Sequence, residues 1–256
     1  MLQDKKLLVC IAFHYSQERE RYLKQVIEEL QNYKIQLDIV IDTNSQKAYE
    51  LDFLKKENVS IILHENLDHP YHLTCRHKSH ILKSKNDYDW FMYMEDDMVL
   101  PYFNFYKFTE KFECLWPNYT PGFIRVERYE DTGNEEFCND IMIDITNDMV
   151  IDIDGKNYVD MPYHYNYHAF WILPKKALED CIEKIGESNF LNVPDQNMPR
   201  EYSSSFVIWV LKVKCLLSID ENSQLDRSCI SYHVANNYRH SAKKLSDIWK
   251  VCIQSD

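Results

Sequence analysis

The sequence predicts an α/β protein whose central sheet is mostly parallel, with helices on both faces. Two observations carry this expectation. Apolar strand-like runs alternate with segments of helical period over residues 1–101, and residues 7–13 (LLVCIAF) are apolar without a break, as in strands buried on both faces.

A helix should follow the first strand at once. Ser16 suits its N-cap, and Tyr22, Leu23, Val26, Ile27, Leu30 and Tyr33 recur at helical spacing. Residues 35–45 (IQLDIVIDTNS) form the next strand and end in polar groups. A short helix and a third strand follow over 49–67, and a further helix and strand over 74–97. Right-handed crossovers are expected to join these parallel strands.

After Pro101 the pattern changes. Residues 122–130 resemble a strand, and 148–162 resemble a hairpin with Asp154-Gly155 at its turn. A strand, a turn and an amphipathic helix are expected over 167–185, another helix over 199–213, and a mixed tail from 225. A single domain spanning 1–256 is expected, with an N-terminal half over 1–101 and an elaboration over 102–256. At 256 residues, 45% of them hydrophobic, the chain is long enough to bury a sizeable core.

The net charge of −12 argues against binding through nucleic-acid phosphates, so no nucleic-acid partner is expected. The first apolar run is about seven residues, too short for a secretory signal, and no stretch has membrane length. A soluble, cytoplasmic protein without a membrane span is therefore expected. The eight cysteines include no C-x-x-C pair and are expected as buried free thiols. The sequons at Asn58 and Asn118 are then chance matches.

The most informative stretch is residues 87–101, DYDWFMYMEDDMVLP. An apolar, aromatic strand runs directly into Glu95, Asp96 and Asp97. In an open α/β sheet the carboxyl ends of the strands define the ligand crevice, so this triplet should meet the loops over 14–16, 42–45 and 66–72 there. Adjacent acids repel unless a cation compensates them, and oxygen ligands suit Mg²⁺ or Mn²⁺. A solvated acidic loop is the plain alternative.

A buried strand ending in a Glu-Asp-Asp motif, behind an N-terminal α/β half, resembles the GT-A fold of nucleotide-sugar-dependent glycosyltransferases. The resemblance covers residues 7–101 well and the remainder loosely. It implies a GT-A-like Rossmann-type sandwich, with 1–101 as the nucleotide-sugar-binding half and 102–256 as the acceptor-binding half and tail. It also implies a nucleotide diphosphate donor, UDP-linked, and a glycan or other hydroxyl acceptor. By position, Asp97 becomes a ligand of Mn²⁺ or Mg²⁺, Asp96 a donor contact and Glu95 a supporting residue. The segment HYSQERERYL resembles the family's first loop and helix, which makes His14, Tyr15 and Asp42 donor-site candidates. The family often supplies a late histidine as a further metal ligand, here His233, and Tyr238 and Arg239 could close over the pyrophosphate.

Downstream of the third strand, Arg76, His80 and Lys83 fall on one helix face with Lys78 nearby, and a cationic helix start suits a donor phosphate. Arg76 and Lys78 are therefore donor-site candidates, against the alternative of a solvated basic face. Inverting transfer needs a carboxylate base for the acceptor hydroxyl. Glu201, at a predicted helix start, is the first candidate and Asp195 its rival, although an acid there also suits plain capping.

Two other motifs fail. On a strand, His164 and His168 stand roughly 13 Å apart, too far to share an ion. With Gly155 in the sixth position of a calcium loop, Val150 and Met161 would occupy the first and twelfth, and neither is a ligand. Two rival functions stand beside sugar transfer. A nucleotidyltransferase would use similar acids but should carry a Gly-rich, basic loop after the first strand, which AFHYSQERE lacks. A catalytically silent nucleotide- or carbohydrate-binding protein could use the same scaffold.

Overall fold

The computed structural model describes residues 2–129, 133–137, 149–161, 169–192, 212–222 and 224–237. The elements run β1 (Lys6–Phe13), α1 (Gln17–Leu30), β2 (Gln36–Thr43), β3 (Val59–Leu63), α2 (His77–Lys83), β4 (Trp90–Glu95) and β5 (Met98–Val99). Then come α3 (Tyr102–Leu115), β6 (Tyr119–Pro121), β7 (Ile124–Tyr129), β8 (Asn134–Phe137), β9 (Val150–Ile153) and β10 (Lys156–Asp160). The last described elements are β11 (Phe170–Pro174), α4 (Lys175–Ile185), α5 (Glu187–Leu191), β12 (Lys214–Ser218) and β13 (Ile230–His233).

The chain divides into two compact units, Met1–Met98 with Ala169–Leu211, and Val99–His168 with Lys212–Asp256. The first contains a five-stranded sheet in the order β11-β4-β1-β2-β3. β1 pairs in parallel with both β2 and β4, and β2 with β3, while β11 runs antiparallel to β4. This is the expected α/β class with a mostly parallel central sheet. β1 is the middle strand, and its residues from Leu7 to Phe13 are all buried, which explains the unbroken apolar run.

The chain first builds outward from β1 to β2 and β3, then returns to place β4 on the other side of β1. That reversal makes a switch point at the carboxyl ends of β1 and β4, where their continuing backbones diverge and leave a crevice. α1 starts just beyond β1. Ser16 is its N-cap, its Oγ accepting from the Arg19 backbone N–H at 3.3 Å, and Glu18 and Glu20 suit the positive end of the helix. Tyr22, Leu23, Val26, Ile27 and Leu30 form its buried stripe.

Three local features differ from expectation. The short helix anticipated before β3 is a pair of 3₁₀ turns, Gln46–Glu50 and Asp52–Leu54, separated by the extended residue Leu51. α4 begins directly at Lys175, with no intervening turn after β11. The helix α3, in the second unit, was not anticipated; it buries Phe105, Phe108, Phe112 and Leu115.

In the second unit one sheet has the order β6-β12-β10-β9, and β13 pairs in parallel with β7, which pairs antiparallel with β8. The expected hairpin is β9–β10, and both turn residues take positive φ, Asp154 at 53° and Gly155 at 76°. Its core gathers Ile124, Val126, Val159, Met161, Leu217 and Leu225. The helix expected over 199–213 lies almost wholly outside the described residues, as do His164 and His168. Of the described cysteines, Cys10, Cys75, Cys181, Cys215 and Cys229 are buried free thiols, while Cys114 is exposed, contrary to expectation. Among the described residues no helix is long and apolar enough to cross a membrane.

Candidate active site at the β1–β4 switch point

A cavity of about 510 Å³ opens in the first unit, lined by Ala12, His14 and Arg19 from the β1–α1 segment, by His69, Pro70, Tyr71, Leu73 and Thr74, and by Glu95, Asp96 and Asp97. Three of the four anticipated loops thus contribute to its wall. The second touches the first: Asn44 Oδ1 accepts from the Tyr15 N–H at 2.8 Å, and Asn44 Nδ2 lies 3.2 Å from His14 Nε2.

The acids are held by a residue that sequence reasoning missed. Arg19 stands in the first turn of α1, and its Nε donates to Asp96 Oδ2 at 2.8 Å. Its terminal nitrogen donates to both Asp96 Oδ1 and Asp97 Oδ2, the latter at 3.0 Å. The planar fork thereby spans two adjacent carboxylates. The arginine is in part the compensating cation that an acid triplet requires.

Glu95, Asp96 and Asp97 are all less than 10% exposed. Burial pushes the Asp96 carboxyl up to about 7 against the opposing pull of Arg19, and the charges of Asp97 and Glu95 add to the rise. For Arg19, burial pulls the other way, but its hydrogen bond and the surrounding acids outweigh it and hold the guanidinium firmly protonated. Glu95, Asp96 and Asp97 bring carboxylate oxygens to the cavity wall, a donor set that fits a hard divalent cation.

The facing wall is the 3₁₀ turn Pro70–Cys75, whose start is fixed by His69 Nδ1 accepting from the Tyr71 N–H at 3.2 Å. The His69 and Tyr71 rings meet edge-on with centroids 4.9 Å apart, and Tyr71 is half-exposed. An acidic floor facing an aromatic rim can hold a cation and a planar or sugar ring together.

The other anticipated residues among those described do not line this cavity. Tyr15 donates its hydroxyl to Glu20 Oε1 at 2.6 Å. Lys78 is buried, and its ammonium donates to the Asn192 carbonyl at 2.9 Å; burial lowers its pKa. Arg76 ends the 3₁₀ turn, and its Nε is buried without a hydrogen-bond partner among the described residues. His233 lies in the second unit, with its Nδ1 2.7 Å from Glu127 Oε1, and both residues are buried. Glu201, Asp195, Tyr238 and Arg239 lie outside the described residues.

Asp42 has a different environment from that expected. It is 1% exposed at the end of β2, and its Oδ1 is 2.7 Å from His64 Nε2 and 2.9 Å from His80 Nε2. Ligand-capable atoms of these three side chains lie within 4.8 Å of one another.

No protein-family model matches the chain, and comparison with curated proteins found no match. Among solved structures, a CMP:2-keto-3-deoxy-manno-octonic acid synthetase complexed with CTP aligns over 82% of this chain and 88% of its own, at 10% identity and a TM-score of 0.42. A likeness that faint carries no argument about chemistry, and the site stands on its own residues.

Proposed function

We propose that the chain is a metal-assisted glycosyltransferase that moves a sugar from a nucleotide diphosphate donor to a hydroxyl of a glycan or another acceptor. The observation that supports it is the gathering of Glu95, Asp96, Asp97, Arg19 and His14 around one cavity at the switch point. The UDP identity of the donor comes from the resemblance to GT-A enzymes, and the inverting outcome rests on a carboxylate base at Glu201 or Asp195; a retaining route follows if neither is essential. Residues 1–101 carry the donor side of this reading.

In this reading Asp97 holds Mn²⁺ or Mg²⁺, which when bound neutralises charge on the departing diphosphate. The carboxyl of Asp96 orients the donor, and Glu95 supports its neighbours. Arg19 adds a protonated fork that can turn from carboxylate to phosphate oxygen, the same planar geometry serving both. Tyr71 and His69 shield one side of the bound donor from water. Glu201 accepts the proton of the acceptor hydroxyl as that oxygen attacks the anomeric carbon, with Asp195 as the rival base.

One observation favours a second reading, a catalytically silent nucleotide- or carbohydrate-binding protein. Arg19 pairs directly with both Asp96 and Asp97. Release of nucleoside diphosphate from a panel of nucleotide sugars, with Mn²⁺ and with EDTA, separates the two. Metal-dependent release supports transfer, while saturable binding without release under both conditions supports the silent reading.

A further inference from the structure

We propose that Asp42, His64 and His80 form a binding site for a borderline divalent transition metal, with Zn²⁺ the best match, chemically distinct from the hard-cation site at the acid triplet. The donors decide the chemistry. Two imidazole nitrogens and one carboxylate oxygen suit Zn²⁺ and its late first-row neighbours, whereas Mg²⁺ prefers oxygen alone.

The three donors converge from three elements. Asp42 is the penultimate residue of β2 and is paired in register with Ala12 on one side and Ile62 on the other. His64 follows β3 directly, and its backbone N–H donates to the Thr43 carbonyl at 2.8 Å, extending the β2–β3 ladder by one residue. His80 comes from α2, which packs on β1. Two donors are thus fixed by the sheet and the third by a helix, the kind of rigid support a metal site needs.

The spacing is close to that of a loaded site. Both Nε2 atoms address the same oxygen, Asp42 Oδ1, at 2.7 and 2.9 Å. Ligands at about 2.0–2.1 Å from one tetrahedral ion stand roughly 3.3 Å apart, so each imidazole nitrogen would move away from Asp42 Oδ1 by about half an ångström. Burial also differs along the cluster. Asp42 is sealed, but the histidine side chains are 19% and 17% exposed, which leaves a route in and a coordination position for water or a small ligand.

The test is Co²⁺ and Zn²⁺ titration of the full chain. About one equivalent of Co²⁺ should give a visible absorption band of low-symmetry nitrogen and oxygen coordination, and Zn²⁺, but not Mg²⁺, should bleach it. Asp97→Asn should keep the band. His64→Gln and His80→Gln should each weaken Co²⁺ binding by about tenfold or more while the far-ultraviolet circular dichroism stays that of the parent. No band up to millimolar Co²⁺, a band untouched in both histidine variants, or a band lost in Asp97→Asn would each overturn the assignment. Should the variants fail to fold, X-ray absorption of the Zn²⁺-loaded parent decides alone: two imidazoles and oxygen in the shell support the site, and sulfur or an all-oxygen shell refutes it.

Discussion

The Arg19 guanidinium lies across the Asp96 carboxylate, with its Nε 2.8 Å from Oδ2, and the same group extends to Asp97. Asp96 is 1% exposed, so removing the cation strands a buried acid. Because the Arg19 side chain is 31% exposed, the loss should fall below the roughly 3–5 kcal/mol of a fully buried broken pair. Arg19→Gln is expected to cost about 2 kcal/mol in urea unfolding, and Arg19→Lys less, since lysine keeps the charge but not the fork. Equal stability of Arg19→Gln and the parent would show that the pair holds nothing together.

His77 supplies a pH prediction. It is buried, stacked on Tyr93 with centroids 4.0 Å apart, and its Nδ1–H donates to the Thr74 carbonyl at 2.7 Å. Burial, then the charge of Lys78, holds its pKa well below the ordinary 6.5. The unfolded chain takes up this proton near the ordinary value while the folded chain does not. His77 therefore stabilises the fold above pH 6.5, and that contribution fades as pH falls toward the depressed folded value. The slope should be about 1.4 kcal/mol per pH unit. His77→Phe keeps the stacked ring and loses the titration, so its stability should fall less steeply below pH 6 or so than the parent's. Parallel curves would remove His77 from the account.

The proposed base separates binding from turnover. Glu201→Gln is expected to leave donor-induced thermal stabilisation unchanged and to lower transfer by about 10²- to 10⁴-fold. Unchanged turnover would move the role to Asp195, and Asp195→Asn should then show the loss.

The residues of β1, α1 and β4 were legible because each has a single structural demand. β1 is buried on both faces, α1 has one apolar stripe and a capping serine, and β4 passes from core to crevice at Glu95. α3 was less visible. Its Phe105, Phe108 and Phe112 keep helical spacing, but Tyr102, Phe103 and Tyr106 are also aromatic and blur the stripe. The antiparallel direction of β11 could not be read, since a buried strand has the same pattern either way.

At the site, Glu95, Asp96, Asp97 and His14 were legible as strand-end polar groups. Arg19 was not, because among Glu18, Glu20 and Arg21 it resembles ordinary helix-surface charge. Its one signal was position, in the first turn of a helix beginning beside the crevice. The Asp42–His64–His80 cluster was hidden for another reason. Its members are 16 or more residues apart and meet only through sheet register and the placement of α2.

The claim that a divalent cation docks a donor diphosphate at Asp97 is tested most directly by thermal unfolding of the parent and Asp97→Asn in UDP, with and without Mn²⁺. A ligand that binds only the folded chain raises its stability by about 2.7 kcal/mol at a hundred times its Kd. The parent should gain stability from UDP with Mn²⁺ well beyond either alone, and Asp97→Asn should lose that extra gain while still folding. An Asp97→Asn protein that responds in full to Mn²⁺ with UDP would contradict the account.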